Sequence, residues 1–190
     1  MCPVLELPHV RRPGWRPPGD LRQVRSCGQR VSPSCRMVVA TVAAVVALDQ
    51  LAKWCVERSM YVHQSVPVIE GVFNLTYVRN PGAAFGLLAD MPWAVRVPLF
   101  LAVSVGALVL LLVILRGLRP EQSSLRVALA GVLGGAIGNL IDRVQDGDVI
   151  DFLDLHWRGY HWPAFNVADS CITVGIAVLI FNSLRRARSR

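Results

Sequence analysis

Charge is scarce in this chain, and lysine is almost missing. Only 17% of the 190 residues are charged and 53% are hydrophobic. The mean hydropathy of +0.44 sits above that of an ordinary soluble domain, where about 25% of residues are charged. Nineteen of the twenty basic residues are arginine and Lys53 is the one lysine; the ratio by itself carries no chemistry. The HExxH pattern of zinc proteases does not occur, and His156 and His161 have no third ligand at good spacing, so no metal is expected and both read as interfacial residues. The five cysteines, Cys2, Cys27, Cys35, Cys55 and Cys171, match no zinc or redox spacing, and no structural disulfide is expected. Cys55 and Cys171 lie in or beside apolar segments and read as packing residues. No Ser/His or Cys/His pairing stands out, and Ser170 has no helix-facing base in its own segment, so nucleophilic side-chain catalysis finds no support.

What is present is a set of apolar runs. Residues 97–115 carry no charge over nineteen positions. Residues 37–56 open with twelve uncharged residues before Asp49 and Lys53. Residues 127–141 end in Asp142 and Arg143, and residues 162–184 are interrupted only by Asp169. Crossing about 30 Å of hydrocarbon takes about 20 helical residues. The expected spans are about 37–56, 94–115, 126–144 and 164–184, forming one membrane domain over 37–184. The fold class expected is an all-α membrane protein, a four-transmembrane-helix bundle with a small extracytoplasmic β element.

The net charge of +7 would suit a nucleic-acid binder. Here, however, the arginines gather at span ends. Seven of them lie in residues 1–36, Arg116, Arg119 and Arg126 lie between spans two and three, and Arg185, Arg186, Arg188 and Arg190 follow span four. The other two loops are poorer in arginine and carry Glu57, Glu70, Asp90, Asp146, Asp148, Asp151 and Asp154. The positive-inside rule puts both termini in the cytoplasm. Trp93, Trp157, Tyr160, His161 and Trp162 flank the outer loops as an interfacial belt would. No nucleic-acid partner is expected. Residues 1–36 are too long and too rich in Pro and Gly for the basic start of a cleaved signal peptide, and read as a disordered basic cytoplasmic tail. Residues 185–190 read as a second basic tail.

Polar groups at membrane depth are expensive, and chains that keep them usually use them. Asp49 lies 13 residues past Arg36, Asp142 lies 16 past Arg126, and Asp169 lies 16 before Arg185. These are depths of about 20–24 Å along a helix, near one face of the membrane. Asn139–Asp142 and Asn166–Asp169 both read Asn-x-x-Asp, the spacing of one helix face. Gly131, Gly134, Gly135 and Gly138 give the third span a face for close helix approach.

Several acids compete for the chemistry. Arg143 follows Asp142 directly, and an ion pair there would hold Asp142 ionised, as scaffold. Asp151 is flanked by Val149, Ile150, Phe152 and Leu153, a setting that keeps a carboxyl protonated near neutrality. Asp151 with Asp169 is the better acid/base couple, and Asp142 stays open. Asp49 and Lys53 are an i,i+4 pair. Asp146, Asp148 and Asp154 read as solvated. The first outer loop, 57–92, is expected to be β-rich. Val72–Val78 reads as a strand that could pair with an extended peptide, Asn80-Pro81-Gly82 as a turn, and Ala83–Phe85 as a small-residue surface. A transporter would string acids along a path through the membrane, whereas these gather near one face. A non-catalytic assembly factor would not need two acids in differently flanked blocks.

Five blocks, ALDQLAK (47–53), RNPGAAF (79–85), GGAIGNLIDR (134–143), VIDF (149–152) and FNVADS (165–170), together resemble the lipoprotein signal peptidase (signal peptidase II) family. The resemblance covers about residues 40–184. It implies an aspartic endopeptidase of the bacterial plasma membrane that removes the signal peptide of prolipoproteins just before the diacylglyceryl-modified cysteine. The family's catalytic aspartates fall on Asp151 and Asp169. Its supporting positions fall on Asp49, Lys53, Asn80, Gly82, Asn139, Asp142, Arg143 and Asn166. Membrane lipid and inhibitors of the globomycin type are implied as further partners, and no cofactor. The basic tail is longer than the family needs, and Pro81 stands inside the Asn-x-Gly motif.

Overall fold

The computed structural model describes residues 33–82 and 87–188, the side chain of Arg186 excepted. Most of the expected N-terminal tail and the expected Ala83–Phe85 surface lie outside the described residues. Four long helices and four strands alternate: α1 (Pro33–Ser59), β1 (Ser65–Ile69), β2 (Phe73–Asn80), α2 (Trp93–Gly117), α3 (Ser123–Gln145), β3 (Val149–Trp157), β4 (Tyr160–His161) and α4 (Val167–Arg188). All four helices are long and apolar enough to cross a membrane. At 1.5 Å per residue, the 25 residues of α2 reach about 38 Å. Residues 33–36, read from the sequence as tail, already belong to α1.

Helix α3 is the central element, packed against α1, α2 and α4. Its glycines explain why. A Cβ on Gly134 would come within 2.8 Å of Val45 Cβ on α1. One on Gly135 would run into the Ala168 carbonyl and lie 2.9 Å from Ile172 Cγ1, both on α4. In lipid there is no hydrophobic drive between helices, so close backbone approach and van der Waals contact have to supply the association. The outward faces are apolar instead: among the described residues of α2, Phe100 alone is buried, while Val103, Val109, Leu110 and Val113 are exposed. A helix apolar all round belongs in lipid or in a core. Cys55, read as a packing residue, is exposed on α1, because an apolar neighbourhood in a membrane chain does not imply burial in protein.

The β element is larger than one strand. β1 to β4 form an antiparallel sheet in the order β1-β2-β3-β4. The strand expected at Val72–Val78 is β2; over Phe73–Thr76 it lies between β1 and β3, whereas over Val78–Asn80 its register pairs it with β3 alone, so an edge for an added peptide strand is confined to that end. The VIDF block is itself a strand. A bulge between Leu75 and Val78 turns Tyr77 inward, onto a core of Val56, Met60, Ile150 and Phe152. That core seats the sheet on the end of α1. Gly147 makes the turn from α3 into β3 at φ +79°, and a Cβ there would also meet Trp93 and Val97 at 3.0 Å.

Gly135→Ala should therefore lower stability by about 1–3 kcal/mol, because backbone rather than a flexible side chain blocks the new methyl. Gly106→Ala, on α2 with nothing within 4 Å, is the matched control and should be neutral or slightly stabilising. Thermal unfolding of the two variants in one detergent checks the difference.

Candidate active site

At one end of the bundle a cavity of about 1000 Å³ opens between the sheet, α3 and α4. Asn80, Gly82, Asn139, Arg143, Asp151 and Asp169 line it. Asp49, Lys53, Asp142 and Asn166 lie behind it, nearly sealed from solvent. The ten residues singled out in the sequence are thus one assembly with a front and a back.

The back is an ion cluster. Lys53 Nζ lies 2.7 Å from Asp49 Oδ2, 2.6 Å from Asp142 Oδ2 and 3.0 Å from Asn139 Oδ1. Gln50, unremarked in the sequence although it sits inside ALDQLAK, donates to Asp142 Oδ1 at 2.8 Å. The remaining Asp49 oxygen accepts the Ala168 N–H at 2.8 Å. That N–H is one of the unsatisfied donors of a helix N-terminus, so an acid from α1 completes the start of α4. A Cβ on Gly138 would lie 2.5 Å from Asp49 Oδ2, so a glycine there leaves the carboxylate its room.

The expected Asp142–Arg143 ion pair is not what forms. Consecutive residues on a helix point about 100° apart, so Asp142 faces Lys53 while Arg143 turns into the cavity. Arg143 Nη1 donates to Asn139 O at 3.3 Å and its guanidinium lies 5.4 Å from the Phe100 ring. Asp142 is held by Lys53 and Gln50 instead.

Two amides carry the back of the site to the front. Asn139 accepts from Lys53 through Oδ1 and donates through Nδ2 to Asp169 Oδ1 at 2.7 Å. The cation thereby fixes which way the amide points. Asn166 caps α4: its Oδ1 accepts the Asp169 N–H at 2.8 Å, and its own N–H lies 3.4 Å from Asp169 Oδ2. This is the reciprocal arrangement of a capping box, with Asp169 three residues into the helix. The second Asn-x-x-Asp is thus a helix start and not one helix face. Asn166 Nδ2 then reaches Asp151 Oδ1 at 2.8 Å. Asn80, at the end of β2, donates to Asp151 Oδ2 at 2.9 Å and accepts the Gly82 N–H at 3.0 Å, so the turn that aims it is built from its own side chain.

Asp151 stands on β3, outside the helices, and is 2% exposed. Burial pushes its carboxyl up to about 7. The Asn80 hydrogen bond opposes that rise, the nearby Asp169 charge adds to it, and Lys53 and Asn166 oppose it. The acids read as solvated have partners: Asp146 pairs with Arg79 at 3.0 Å, Asp148 with Arg96 at 3.1 Å, and Asp154 with His161 at 3.0 Å. Arg79 also holds Glu57 at 2.8 Å, tying β2 to the ends of α1 and α3. The wall from Trp162 to Phe165, with Ile172 and Thr173, completes the cavity; in the sequence Trp162 reads only as part of the aromatic belt and Phe165 only as the start of the FNVADS block.

Comparison with known proteins agrees with the blocks. The family model of Signal peptidase (SPase) II matches residues 41–185. A lipoprotein signal peptidase of Geobacter sulfurreducens is 49% identical over 160 residues, 84% of this chain and 99% of that protein. One of Syntrophotalea carbinolica is 50% identical over 150 residues, 79% and 92% of the two chains. A bacterial membrane enzyme solved in meso at 2.3 Å superposes with a TM-score of 0.69 at 30% identity, covering 82% of this chain and 92% of its own.

Lys53→Met should be among the most damaging substitutions. It leaves two buried carboxylates with no cation, a change of about 3–5 kcal/mol for a broken buried pair. Folded yield in detergent should collapse. Arg143→Ala should instead fold normally and lose turnover, because it removes no partner of Asp142. A stable, active Lys53→Met protein would show that the cluster does not hold the helices together.

Proposed function

Because the chain belongs to the signal peptidase II family and carries four membrane-length helices, we propose that it removes signal peptides from diacylglyceryl-modified prolipoproteins, cutting just before the lipid-modified cysteine, by an aspartic mechanism. One observation carries this reading. Two carboxylates from separate elements, Asp151 on β3 and Asp169 on α4, line one cavity, and each is held by asparagine amides and not neutralised by a direct cation.

The two environments support different roles. Asp169, in the first turn of α4, faces the positive end of a helix and serves as the base. Asp151 holds the shared proton and serves as the acid. Asp169 takes a proton from water while the water oxygen attacks the scissile carbonyl carbon, and Asp151 gives its proton to the carbonyl oxygen. In the collapse the C–N bond breaks, the leaving amine takes the proton from Asp169, and a hydroxyl of the intermediate returns one to Asp151. The two titrate as a pair. Arg143, on the cavity wall, supplies positive charge that favours polarisation of the scissile carbonyl. The arginine distribution supports cytoplasmic termini, with the sheet and cavity at the extracytoplasmic face of the bacterial inner membrane. A diacylglyceryl anchor would hold the scissile bond at that depth, and membrane lipid and globomycin-type inhibitors are the further ligands of this reading.

Asp151→Asn and Asp169→Asn should each lower cleavage of a diacylglyceryl prolipoprotein in detergent by at least ~10²–10⁴-fold. The double variant should be little worse, because the two act as a unit. Uncut substrate should co-purify with each. Near-normal cleavage by Asp151→Asn beside a folded but inactive Asp142→Asn would show that the wrong acid has been assigned.

The pH profile gives an independent check. With its carboxyl raised from 3.8 to about 7, Asp151 keeps a proton in the folded chain that it would lose unfolded. Its contribution to stability is full below 3.8 and is lost as pH rises through about 7. Turnover should fall over the same alkaline limb as the acid ionises. Asn80→Ala removes a donor that favours the charged form, so the limb should move to higher pH. A shift to lower pH, or none, would remove Asp151 as the acid.

A further inference from the structure

Strand β3 has a second chemical face. Its odd-numbered residues Val149, Asp151 and Leu155 line the cavity. Strand alternation sends Asp154 and His156 to the other side. On β4, His161 pairs directly with His156, and on β2, Asn74 pairs directly with Asp154. Register and period two thus gather Asn74, Asp154, His156 and His161 on one face of three adjacent strands, although no sequence spacing announces them.

Their side chains are close enough to converge on one ion. One donor atom from each of Asp154, His156 and His161 lies within 4.8 Å of the others. His161 Nδ1 is 3.0 Å from Asp154 Oδ1 and 3.3 Å from Oδ2. Asn74 Nδ2 donates to Asp154 Oδ2 at 3.1 Å, which orients the carboxylate from behind. The two imidazole rings are nearly parallel, with centroids 4.8 Å apart. Among the described residues the buried Nδ1 of His156 has no hydrogen-bond partner, so that ring is not committed to the protein through this nitrogen.

We propose that Asp154, His156 and His161 bind one divalent transition-metal ion of the zinc class, on the sheet face opposite the peptidase cavity. Two imidazoles and a carboxylate suit such an ion, and a hydrogen-bonded carboxylate is the usual outer-shell support. Bonds of about 2.0–2.2 Å set neighbouring tetrahedral ligands roughly 3.3–3.6 Å apart. His161 Nδ1 and Asp154 Oδ2, 3.3 Å apart, are already at that distance, and rotation of His156 or of the exposed His161 side chain supplies the remaining closure of roughly 1.2–1.5 Å. The ion would replace the proton between His161 and Asp154 and pin β4 to β3. The segment leaving β4 is the Trp162–Phe165 wall of the cavity, so the role is structural and lies outside the acid/base chemistry.

The test is Zn²⁺ titration of the full chain in detergent, purified without a polyhistidine tag and read by equilibrium dialysis and elemental analysis. Wild type should retain about one ion per chain at micromolar zinc, and Co²⁺ should give a spectrum without thiolate charge transfer. His156→Ala should weaken binding at least ~10-fold, and Asn74→Ala by about 10–100-fold through loss of the supporting hydrogen bond. His161→Gln, at the most exposed position, serves if His156→Ala does not fold. Prolipoprotein cleavage by each variant confirms a folded protein. A wild-type chain that retains no zinc, a thiolate band that moves the ion to the cysteines, or unchanged affinity in both histidine variants would overturn the proposal.

Discussion

Everything in the site hangs on one buried ammonium. Lys53 is shared by Asp49 and Asp142, and all three are at most 4% exposed. Two carboxylates and one cation leave an uncompensated negative charge in a low-dielectric interior, where charge is costly unless it is paired and hydrogen-bonded. The balance comes from dipoles: the Ala168 N–H at the start of α4 and the Gln50 amide. The cluster therefore joins α1, α3 and the N-terminus of α4 through groups that cannot be left apart in lipid. The glycines of α3 let the backbones come close enough for it.

That arrangement separates the buried charges from the proposed acid/base pair. Charges that must stay charged are sealed behind the cavity, while the two acids that line it are reached only through neutral amides. An amide donates to a carboxylate without fixing it as an ion as strongly as a direct cation would, which is what the proposed proton exchange between Asp151 and Asp169 requires. Asn139 and Asn166 also carry orientation. Lys53 on one end of Asn139, and the start of α4 on one end of Asn166, decide which end of each amide meets the acids. Asn80 adds a third donor from the sheet, so Asp151 is positioned by β2, β3 and α4 together.

The sheet does more than cover the bundle. A bulge in β2 buries Tyr77 over the end of α1, and Arg79 ties the same strand to Glu57 and Asp146. These contacts hold the β2–β3 pair at the mouth of the cavity, and they bring Asn80 to Asp151 across 71 residues of chain.

By itself the sequence determined the four apolar helices, the family, and the identity of the polar residues that meet. Uninterrupted apolar runs have one stable outcome in lipid, and polar residues in such runs are too costly to be incidental. What it did not contain was direction. Asp142 beside Arg143 suggested a pair, yet helix geometry turns the two apart and hands Asp142 to Lys53. The second Asn-x-x-Asp suggested one helix face, and became a capped helix start. VIDF suggested a loop acid and became a strand, because pairing with β2 depends on residues far away in the chain. Asp154, His156 and His161 show no recognisable spacing, since strand register alone brings them together. Local patterns follow from local physics; which side chain faces which was decided only when the elements packed.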